Sequence, residues 1–461
     1  MATSVMWFRR DLRLRDTPAL AAAVRHAASA RQGDGVVGGE VVALFCLDDR
    51  LRRPAGAARL AFLHGCLTAL DASIGGRLVV RSGPPDEVVP ALARDVGATA
   101  VFAAEDFGPY GRRRDEAVEG ALASVGIAFE RVGSAYAVPP GETLNKEGEP
   151  YKVFTPFSRA WKDHGWPAPI AAPASVAWAE VPARKGDGAP RAPEVGATLP
   201  EPGEDAAKRA ARRFWDSRLA AYADTRDRPG VDGTSHLSPY LKWGCLHPRQ
   251  LLAKLGRQRS HEVFRTELCW REFYADVLWH RPDTARAAFQ PRMAAIEVDG
   301  DEHTDALFEA WSQGRTGYPI VDAAMRQLLA EGWMHNRARM IVASFLVKDL
   351  HLDWTRGARW FMDHLVDGDL ASNQHGWQWV AGTGTDAAPY FRIFNPTSQG
   401  ERFDPTGEYV RRYVHELRLV RGKAVHRPWA LAGGPPAGYP EPIVDHAEER
   451  AEALRRYEAL A

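Results

Sequence analysis

The first 132 residues alternate between two kinds of segment, and this alternation is the strongest constraint on the fold. Short runs rich in β-branched and other apolar residues are separated by Ala-rich amphipathic stretches. The runs are Ser4–Phe8, Val41–Leu47, Leu78–Arg81, Ala100–Ala104 and Ile127–Val132. Such alternation indicates βαβ units, which place parallel strands in one sheet. We therefore predict an α/β domain with a parallel sheet over residues 1–132.

A nicotinamide site is not expected in this domain. The dinucleotide-binding fold needs a Gly-x-Gly-x-x-Gly turn directly after its first strand. Here Arg9, Arg10, Asp11 and Leu12 follow that strand. The sequence therefore argues against a nicotinamide-dependent oxidoreductase.

Beyond residue 132 the pattern changes. Residues 167–203 are dense in Pro, Gly and Ala and show no apolar period, which is typical of a linker. We predict an interdomain linker over 133–204 and an all-helical domain over 205–461, because the apolar period is helical almost throughout that part. The predicted helices include 206–222, 248–258, 262–279, 320–330, 337–350 and 444–460.

Composition restricts the function less than the pattern does. Lys+Arg and Asp+Glu number 59 each, so a nucleic acid would have to bind at a local basic groove. The cysteines, Cys46, Cys66, Cys245 and Cys269, form no Cys-x-x-Cys pair and lack the His spacing of a zinc site, so no metal is expected. The first residues lack the apolar region of a signal peptide, and no apolar run approaches the roughly 18 residues of a membrane span. We expect a reduced, cytoplasmic protein.

A hydroxyl-rich turn at 233–238 leads into a predicted helix. Ser238 is the expected N-cap and Pro239 the first helical residue. Hydroxyls and free amides at a helix start suit a pyrophosphate. An ordinary capped helix explains the same residues.

One face of the predicted helix 262–279 is unusual for a core. Glu267, Trp270, Arg271 and Tyr274 are spaced i, i+3, i+4 and i+7 and so share that face. An aromatic ring there could stack on a base while a carboxyl group bonds the edge of the base. A solvated face with an internal Glu–Arg pair is the alternative.

Two further clusters lie downstream. Asn336 and Met340 are one helical turn apart with Arg339 beside them, whereas His335 is more typical of a structural histidine than of a ligand. The second cluster is too polar for packing alone. It comprises Asp367, Gly368, Asp369, Asn373, Trp377, Gln378 and Trp379.

These segments, in this order and spacing, closely resemble the photolyase/cryptochrome family over nearly the whole chain. Further matching segments are Trp7–Arg13, Trp270–Tyr274, Thr316–Arg326 and Phe391–Pro396. The resemblance is nearest to class I photolyases for cyclobutane pyrimidine dimers that use a deazaflavin antenna. It implies an antenna domain at 1–132 and a catalytic domain that binds FAD and DNA at 205–461.

The resemblance also implies a folded, U-shaped FAD. Arg339 would pair with Asp367 beside the isoalloxazine, and Asn373 would face the reactive nitrogen of the flavin. The implied FAD-binding residues are Tyr222, Thr234, Ser235, His236, Leu237, Ser238, Arg339, Asp367, Gly368, Asp369 and Asn373.

The implied substrate is a pyrimidine dimer flipped out of DNA. The implied DNA-contacting residues are Arg226, Glu267, Trp270, Arg271, Tyr274, Asn336, Arg337, Met340, Trp379 and Gln399, and the implied catalytic residues are Glu267, Asn336, Arg339 and Asn373. A protonated Glu267 that donates to a dimer carbonyl would stabilise the radical anion. Burial against Trp270 would keep that carboxyl neutral.

In the family, reduced FAD absorbs blue or near-ultraviolet light, gives an electron to the dimer and recovers it after the ring opens. Oxidised FAD is reduced through a chain of tryptophans, whose inner two members match Trp377 and Trp354. The outermost position holds Asp301, which cannot relay an electron. We predict that the chain ends instead at Trp360, six residues beyond Trp354 and so roughly 9 Å along a helix, or at an unidentified aromatic residue.

The choice of the antenna chromophore depends on two positions. Lys242 and Asp106 match residues that accompany 8-hydroxy-5-deazaflavin, which is therefore favoured over methenyltetrahydrofolate; an exposed helical lysine is the alternative for Lys242.

A cryptochrome that signals without repair is the main functional alternative, but Asn373, the intact dimer pocket and the expected lack of a long tail favour repair. A photolyase for six-four lesions would carry paired histidines where His335 and Asn336 stand. We expect a monomer that binds damaged DNA and no membrane.

Overall fold

Five parallel strands form one sheet in the N-terminal part of the chain. The computed structural model describes residues 3–29, 39–182, 187–188, 191–300, 302–386, 389 and 392–460. The strands are β1 (Thr3–Phe8), β2 (Val41–Leu47), β3 (Leu78–Ser82), β4 (Ala98–Ala103) and β5 (Ala128–Arg131). Their order is β3-β2-β1-β4-β5, and every neighbouring pair is parallel. The predicted α/β architecture and its strands are confirmed.

The two faces of the sheet enter different cores because side chains alternate along a strand. In β1, Val5 and Trp7 pack on one side, whereas Met6 and Phe8 pack on the other. The core that holds Met6 and Phe8 continues to Phe273 of the helical part. The helical part therefore shares one continuous core with this face of the sheet. The helices around the strands are α1 (Pro18–Ser29), α2 (Asp49–Arg52), α3 (Ala57–Ser73), α4 (Pro85–Asp95) and α5 (Pro109–Ala123).

The predicted linker 133–204 contains structure that the sequence analysis did not predict. It includes helix α6 (Phe154–His164), whose Trp161 is fully buried. Farther along, the backbone of Ala177 and Ala179 bonds the backbone of Val41 at the start of β2. The segment therefore packs on both parts of the chain rather than merely connecting them.

Helices dominate the chain from residue 204 onward, and the all-helical prediction is confirmed. They are α7 (Glu204–Ser217), α8 (Tyr222–Thr225), α9 (Ser238–Trp243), α10 (Pro248–Leu252), α11 (Arg259–His280), α12 (Glu302–Ser312), α13 (Pro319–Glu331), α14 (Asn336–Lys348), α15 (Trp354–His364), α16 (Leu370–Ala381), α17 (Pro396–Phe403), α18 (Glu408–Tyr413) and α19 (His446–Glu458). Short 3-10 segments occur at Leu219–Ala221, Pro282–Ala285, Pro291–Ala295, His415–Leu417, Gly422–His426 and Pro428–Ala430.

Two predicted helices are shorter than expected. The predicted helix 206–222 ends at Ser217 and continues as a 3-10 segment before α8. The predicted helix 248–258 ends at Leu252, because the chain turns toward α11 at Gly256, whose amide donates to Nδ1 of His261. Asp301 and Phe391 lie outside the described residues. None of the described helices combines the length and the apolar character that crossing a membrane would need.

Candidate active site

A cavity of about 510 Å³ opens between α8, α9, α11, α14, α15 and α16. Its volume lies within the roughly 300–1,000 Å³ that is usual for ligand sites. It brings together segments that are far apart in the sequence. The predicted residues that line it are Tyr222, Arg226, Ser235, Ser238, Lys242, Glu267, Trp270, Arg271, Tyr274, Asn336, Arg337, Arg339, Met340, Asp367, Gly368, Asp369, Asn373, Trp377 and Trp379.

Some predicted residues lie elsewhere. Thr234 and His236 line a neighbouring cavity of about 440 Å³, and Leu237 is buried behind the turn. Gln399 lies on α17, and its side chain is not part of the described wall of the main cavity. Its predicted DNA contact stays a prediction.

The turn before α9 differs from the predicted cap. Ser238 is the first helical residue rather than the N-cap, and Leu237 takes the cap position. Ser235 Oγ accepts from the Leu237 amide at 3.3 Å, and Ser238 Oγ accepts from Trp333 Nε1 at 3.3 Å. The helix start therefore shifts by one residue because Ser235 supplies the local acceptor, and both hydroxyls remain at the cavity.

Arg339 and Asp367 form the predicted ion pair. One terminal nitrogen of Arg339 donates to both Asp367 oxygens, at 2.9 and 3.2 Å, while its Nε donates to the carbonyl of Met334 at 2.9 Å. These bonds fix a guanidinium at the cavity wall. Such a fixed charge favours negative charge on a ligand beside it.

Asn373 has its amide orientation set by two acceptors. Its Nδ2 donates to the Ala358 carbonyl at 3.0 Å and to Gln374 Oε1 at 2.9 Å. The helix that carries it, α16, is capped by Asp369, which accepts from the Ser372 amide at 3.2 Å. The amide of Asn373 is therefore held rigidly where it borders the cavity.

Asp369 is also one of the points where charged groups of the two parts of the chain meet, as are Asp16 and Arg249. Arg10, from the loop after β1, donates to Asp369 Oδ2 at 2.6 Å, and Lys242 Nζ lies 3.8 Å from the same oxygen. Burial alone would raise the pKa of Asp369, but these cations hold it well below its usual value. The sequence analysis missed Arg10, because nothing local to it signals a partner so far along the chain.

Glu267 is paired with Arg226 across the cavity mouth. Arg226 donates to Glu267 Oε1 at 2.8 Å, so the internal Glu267–Arg271 pair considered from the sequence is not the pair that forms. Burial raises the pKa of the Glu267 carboxyl and the Arg226 guanidinium opposes this, with burial the larger influence. The ion-pair geometry nevertheless favours the carboxylate while Arg226 stays in place. The neutral form that the resemblance implies would follow if Arg226 moved away.

Arg271 and Arg337 are engaged within the protein. Arg271 donates to the carbonyls of Ala135 and Leu241 at 3.1 and 3.4 Å, and Arg337 donates to Asp227 at 3.1 Å. A guanidinium has five N–H donors, so each arginine keeps donors that these bonds do not use. Their predicted DNA contacts stay a prediction.

The neighbouring histidine has a structural role, as expected. His335 caps α14 by accepting from the Arg337 amide at 3.1 Å through Nδ1. Burial lowers the pKa of His335 to about 3, so the ring is neutral and suited to accept that bond. Behind it, Asn336 Nδ2 lies 4.0 Å from Met340 Sδ, one turn along the same helix.

Aromatic rings form the wall opposite Arg339. The indole of Trp270 stacks face to face on Phe154, with ring centroids 3.6 Å apart and planes at 5°. Tyr274 lies against the same indole at 5.4 Å. Phe154 comes from α6, inside the predicted linker, and the sequence analysis gave it no role.

Trp377 lies at the inner end of a series of aromatic contacts. Its ring centroid is 6.2 Å from that of Trp311, which lies 5.5 Å from Phe308, which in turn lies 6.0 Å from Trp360. Trp354 begins α15 and packs in the same core as Trp377. Trp360 is thus connected to Trp377 through intervening rings.

The two predicted antenna residues are both largely, but not fully, buried near Arg10. Asp106 accepts from Arg114 at 3.1 Å and borders a space of only about 10 Å³, room for about one water, between Arg10, Phe107 and Tyr136. Burial and the Arg10 cation lower the pKa of Lys242 to about 7. The alternative that Lys242 is an exposed helical residue is wrong, because only 14% of its side chain is exposed.

No cluster of three or more His, Cys, Asp or Glu side chains that could hold a metal ion is found among the residues that the structure describes.

Known proteins resemble this chain over its whole length. Residues 4–174 match a family model described as DNA photolyase, and residues 264–459 match one described as the FAD binding domain of DNA photolyase. A deoxyribodipyrimidine photo-lyase of Streptomyces griseus is 42% identical, with 98% of each chain covered. Among solved structures, a bacterial class III photolyase from Agrobacterium tumefaciens has a TM-score of 0.88 at 37% identity, covering 100% of this chain and 98% of the other. An archaeal photolyase from Sulfolobus tokodaii with two FAD molecules has a TM-score of 0.86 at 28% identity, covering 99% and 100%.

Proposed function

The chain belongs to the photolyase/cryptochrome family, and we propose that within it this protein is a deoxyribodipyrimidine photo-lyase. It would use light to split the cyclobutane ring of a pyrimidine dimer and so restore the two bases in DNA. One observation carries the proposal. Most of the residues expected to hold FAD and most of those expected to receive a flipped base line one continuous cavity, so donor and acceptor would meet there.

The residues present fit a flavin nucleotide. The Ser235 and Ser238 hydroxyls at the start of α9 suit phosphate oxygens, and the Arg339 guanidinium suits a negatively charged ring. Trp377 Nε1 has no hydrogen-bond partner within the described part of the chain. When bound, FAD supplies the light-absorbing group and the transferable electron.

The protein side chains would then control charge and geometry. Arg339, fixed by Asp367 and by the Met334 carbonyl, favours negative charge at the flavin without having to reorient. Asn373 presents a fixed amide to the same place. The proposed repair reaction needs no proton-transfer nucleophile from the protein.

The outer part of the cavity suits an extruded dimer. Trp270 and Trp379 offer aromatic faces on which bases can stack, and Met340 adds an adaptable apolar contact. Extruding a base costs a few kcal/mol and costs least for a damaged, badly stacked base, as in other base-flipping enzymes, photolyases among them. Weak stacking of the lesion therefore contributes to selectivity.

We propose 8-hydroxy-5-deazaflavin as the antenna, next to Lys242 and Asp106. Both side chains are buried where the two parts of the chain meet, and both lie near Arg10. Because side chains fill the space beside Asp106, Arg10 or Tyr136 must move to admit a tricyclic ring. Reconstitution with equal amounts of the deazaflavin and methenyltetrahydrofolate should leave the deazaflavin bound; retention of the folate alone would refute this assignment.

We further propose that the protein works in the cytoplasm as a monomer. All four cysteines are free thiols, including Cys66 and Cys245, whose sulfurs lie 3.5 Å apart, which suits a reducing compartment. Sedimentation of the FAD-loaded protein should give the mass of one chain, and a dimer mass would contradict this.

Substrate choice tests the proposed function. The FAD-loaded, reduced protein is illuminated with oligonucleotides that carry a thymine cyclobutane dimer, a six-four lesion or no lesion. We expect restored bases only for the cyclobutane dimer. Tight FAD binding without restoration of either lesion would support the cryptochrome alternative instead.

A further inference from the structure

We propose that Phe154 is a positioning residue for the lesion-binding part of the cavity, which is the outer part lined by Trp270, Trp379 and Met340. Phe154 acts there because it holds the Trp270 indole in a single orientation. The inference rests on the proposed function and extends it to a segment outside the catalytic domain. It implies that α6, in the stretch expected to be a mere linker, helps to decide how a dimer is bound.

Phe154 stacks on one face of the Trp270 indole. The Phe154 and Trp270 rings are nearly parallel at 3.6 Å, and Phe273 meets both rings edge-on with centroids 5.7 Å away. Phe154 is buried, whereas Trp270 remains partly exposed at the cavity wall. A base can therefore stack on Trp270 only from the cavity side.

Phe154 is itself held by residues of the loop that follows α16. It is the first residue of α6, and the N-cap Val153 has no side-chain acceptor to offer its amide. Asp386 supplies one: its Oδ2 accepts from the Phe154 amide at 2.9 Å. Next to it, Thr385 Oγ1 donates to the Lys152 carbonyl at 2.5 Å.

The loop that carries Thr385 and Asp386 follows α16, the helix of Asn373 and Trp379. Asp386 has a φ of +45°, a left-handed conformation that Asp and Asn tolerate better than most residues. The loop thus ties α16 to α6, and α6 supports Trp270 on α11. Trp270 and Trp379, the two tryptophans of the lesion-binding part of the cavity, are therefore connected through Phe154.

A rigid indole binds a base more tightly than a mobile one, because less rotamer freedom is lost on binding. Replacing Phe154 by Leu keeps apolar volume but removes the flat partner. We expect dimer-containing DNA to bind Phe154→Leu roughly tenfold more weakly in the dark, with unchanged affinity for undamaged DNA and unchanged FAD content. Phe154→Tyr keeps the ring and should restore most of the affinity.

The matched control is Phe157→Leu. Phe157 lies on the same helix, is also buried and contacts Phe273 at 5.1 Å, but it makes no ring contact with Trp270 in the described structure. It should lower thermal stability as much as Phe154→Leu does, yet leave discrimination between damaged and undamaged DNA intact. If both variants lose lesion affinity equally, or neither does, the positioning role is wrong.

A second readout needs no DNA. In the FAD-loaded protein labelled with 5-fluorotryptophan, the Trp270 resonance is assigned with Trp270→Phe. We expect that resonance to shift and broaden in Phe154→Leu but not in Phe157→Leu. An unchanged resonance would overturn the proposal. A shifted resonance in a protein that does not prefer dimer DNA would leave the positioning role standing and refute the proposed function instead.

Discussion

Glu267 lies at the cavity mouth with two opposing influences on its carboxyl group. Burial favours the neutral acid, whereas the Arg226 guanidinium 2.8 Å away favours the carboxylate. The helical spacing of Glu267 with Trp270 predicted correctly that both side chains share a face. It could not predict Arg226 as the partner, because that contact joins α11 to the residue after α8. Local spacing thus locates a site residue but does not give its charge state.

Glu267→Ala tests the role of this carboxyl group. The variant should keep FAD but lower the repair yield, because loss of a donor to the dimer removes a stabilisation of about 1.5 to 3 kcal/mol. The measurement is bases restored per absorbed photon. Glu267→Gln keeps an N–H donor and should lose less. An unchanged yield in Glu267→Ala would remove Glu267 from the mechanism.

Asp106 provides a test through pH. Burial would raise its pKa, but the guanidinium groups of Arg114, Arg9 and Arg10 lower it to about 2. Because the folded-state pKa is below the value of 3.8 that applies to the unfolded chain, the carboxylate stabilises the fold above pH 4, and this contribution is lost as the pH falls toward 2.

Asp106→Asn should therefore be about 2 kcal/mol less stable than the parent at pH 7. Urea unfolding at a series of pH values should show that difference shrinking below about pH 4. Asp216→Asn, at an exposed position of α7, is the control and should change little. A difference that does not vary with pH would contradict the account of Asp106.

Among the elements, α11 and α14 were predicted nearly in place and α6 was not, for physical reasons. The first two carry polar motifs on a helical period, so their local sequence is informative. Helix α6 has Pro156 in its first turn and no acceptor at its own N-cap; Asp386 supplies that acceptor from more than two hundred residues away. A helix completed by a distant side chain leaves little local signal.

The packing of α15 against α16 permits a prediction for electron supply. Gly357 on α15 lets the Trp377 ring approach so closely that a Cβ there would clash with it. Trp377→Phe should abolish photoreduction of oxidised FAD and leave repair by the chemically reduced enzyme nearly intact. Absorbance changes under illumination measure the first, and restored thymines measure the second.

Trp360→Phe tests the outer end of the proposed electron-transfer chain separately from its inner end at Trp377. Because Trp360 reaches Trp377 only through Phe308 and Trp311 in the described structure, its loss should slow photoreduction without affecting repair. Photoreduction at the parent rate would exclude Trp360 as the terminus and leave the inner tryptophans in place.

At the scale of the whole molecule, the α/β part and the helical part share a core and an ion pair. The periodicity of the sequence predicted both architectures, because each depends on local repetition of apolar residues. It could not predict that Met6 and Phe273 belong to one core, or that Arg10 reaches Asp369. Those contacts depend on how the two parts pack against each other. No local sequence pattern in either part specifies that packing.

Arg10→Gln tests this coupling. Removing Arg10 leaves Asp369 with only the more distant cation Lys242, at 3.8 Å, so we expect a loss of about 2 kcal/mol in unfolding free energy and weaker FAD retention. Arg53→Gln, whose side chain is 80% exposed, is the control and should change neither. Parent-like stability and FAD content in Arg10→Gln would show that the pair does not couple the two parts.

Light-driven repair of pyrimidine dimers is the central claim about this protein. The most direct measurement mixes the protein, with its FAD chemically reduced, with an oligonucleotide that carries one thymine dimer, and compares blue light with darkness. We predict that thymines are restored only in the light, with a wavelength dependence that follows the absorption of the bound, reduced flavin. Equal amounts of dimer remaining in light and darkness would contradict the central claim.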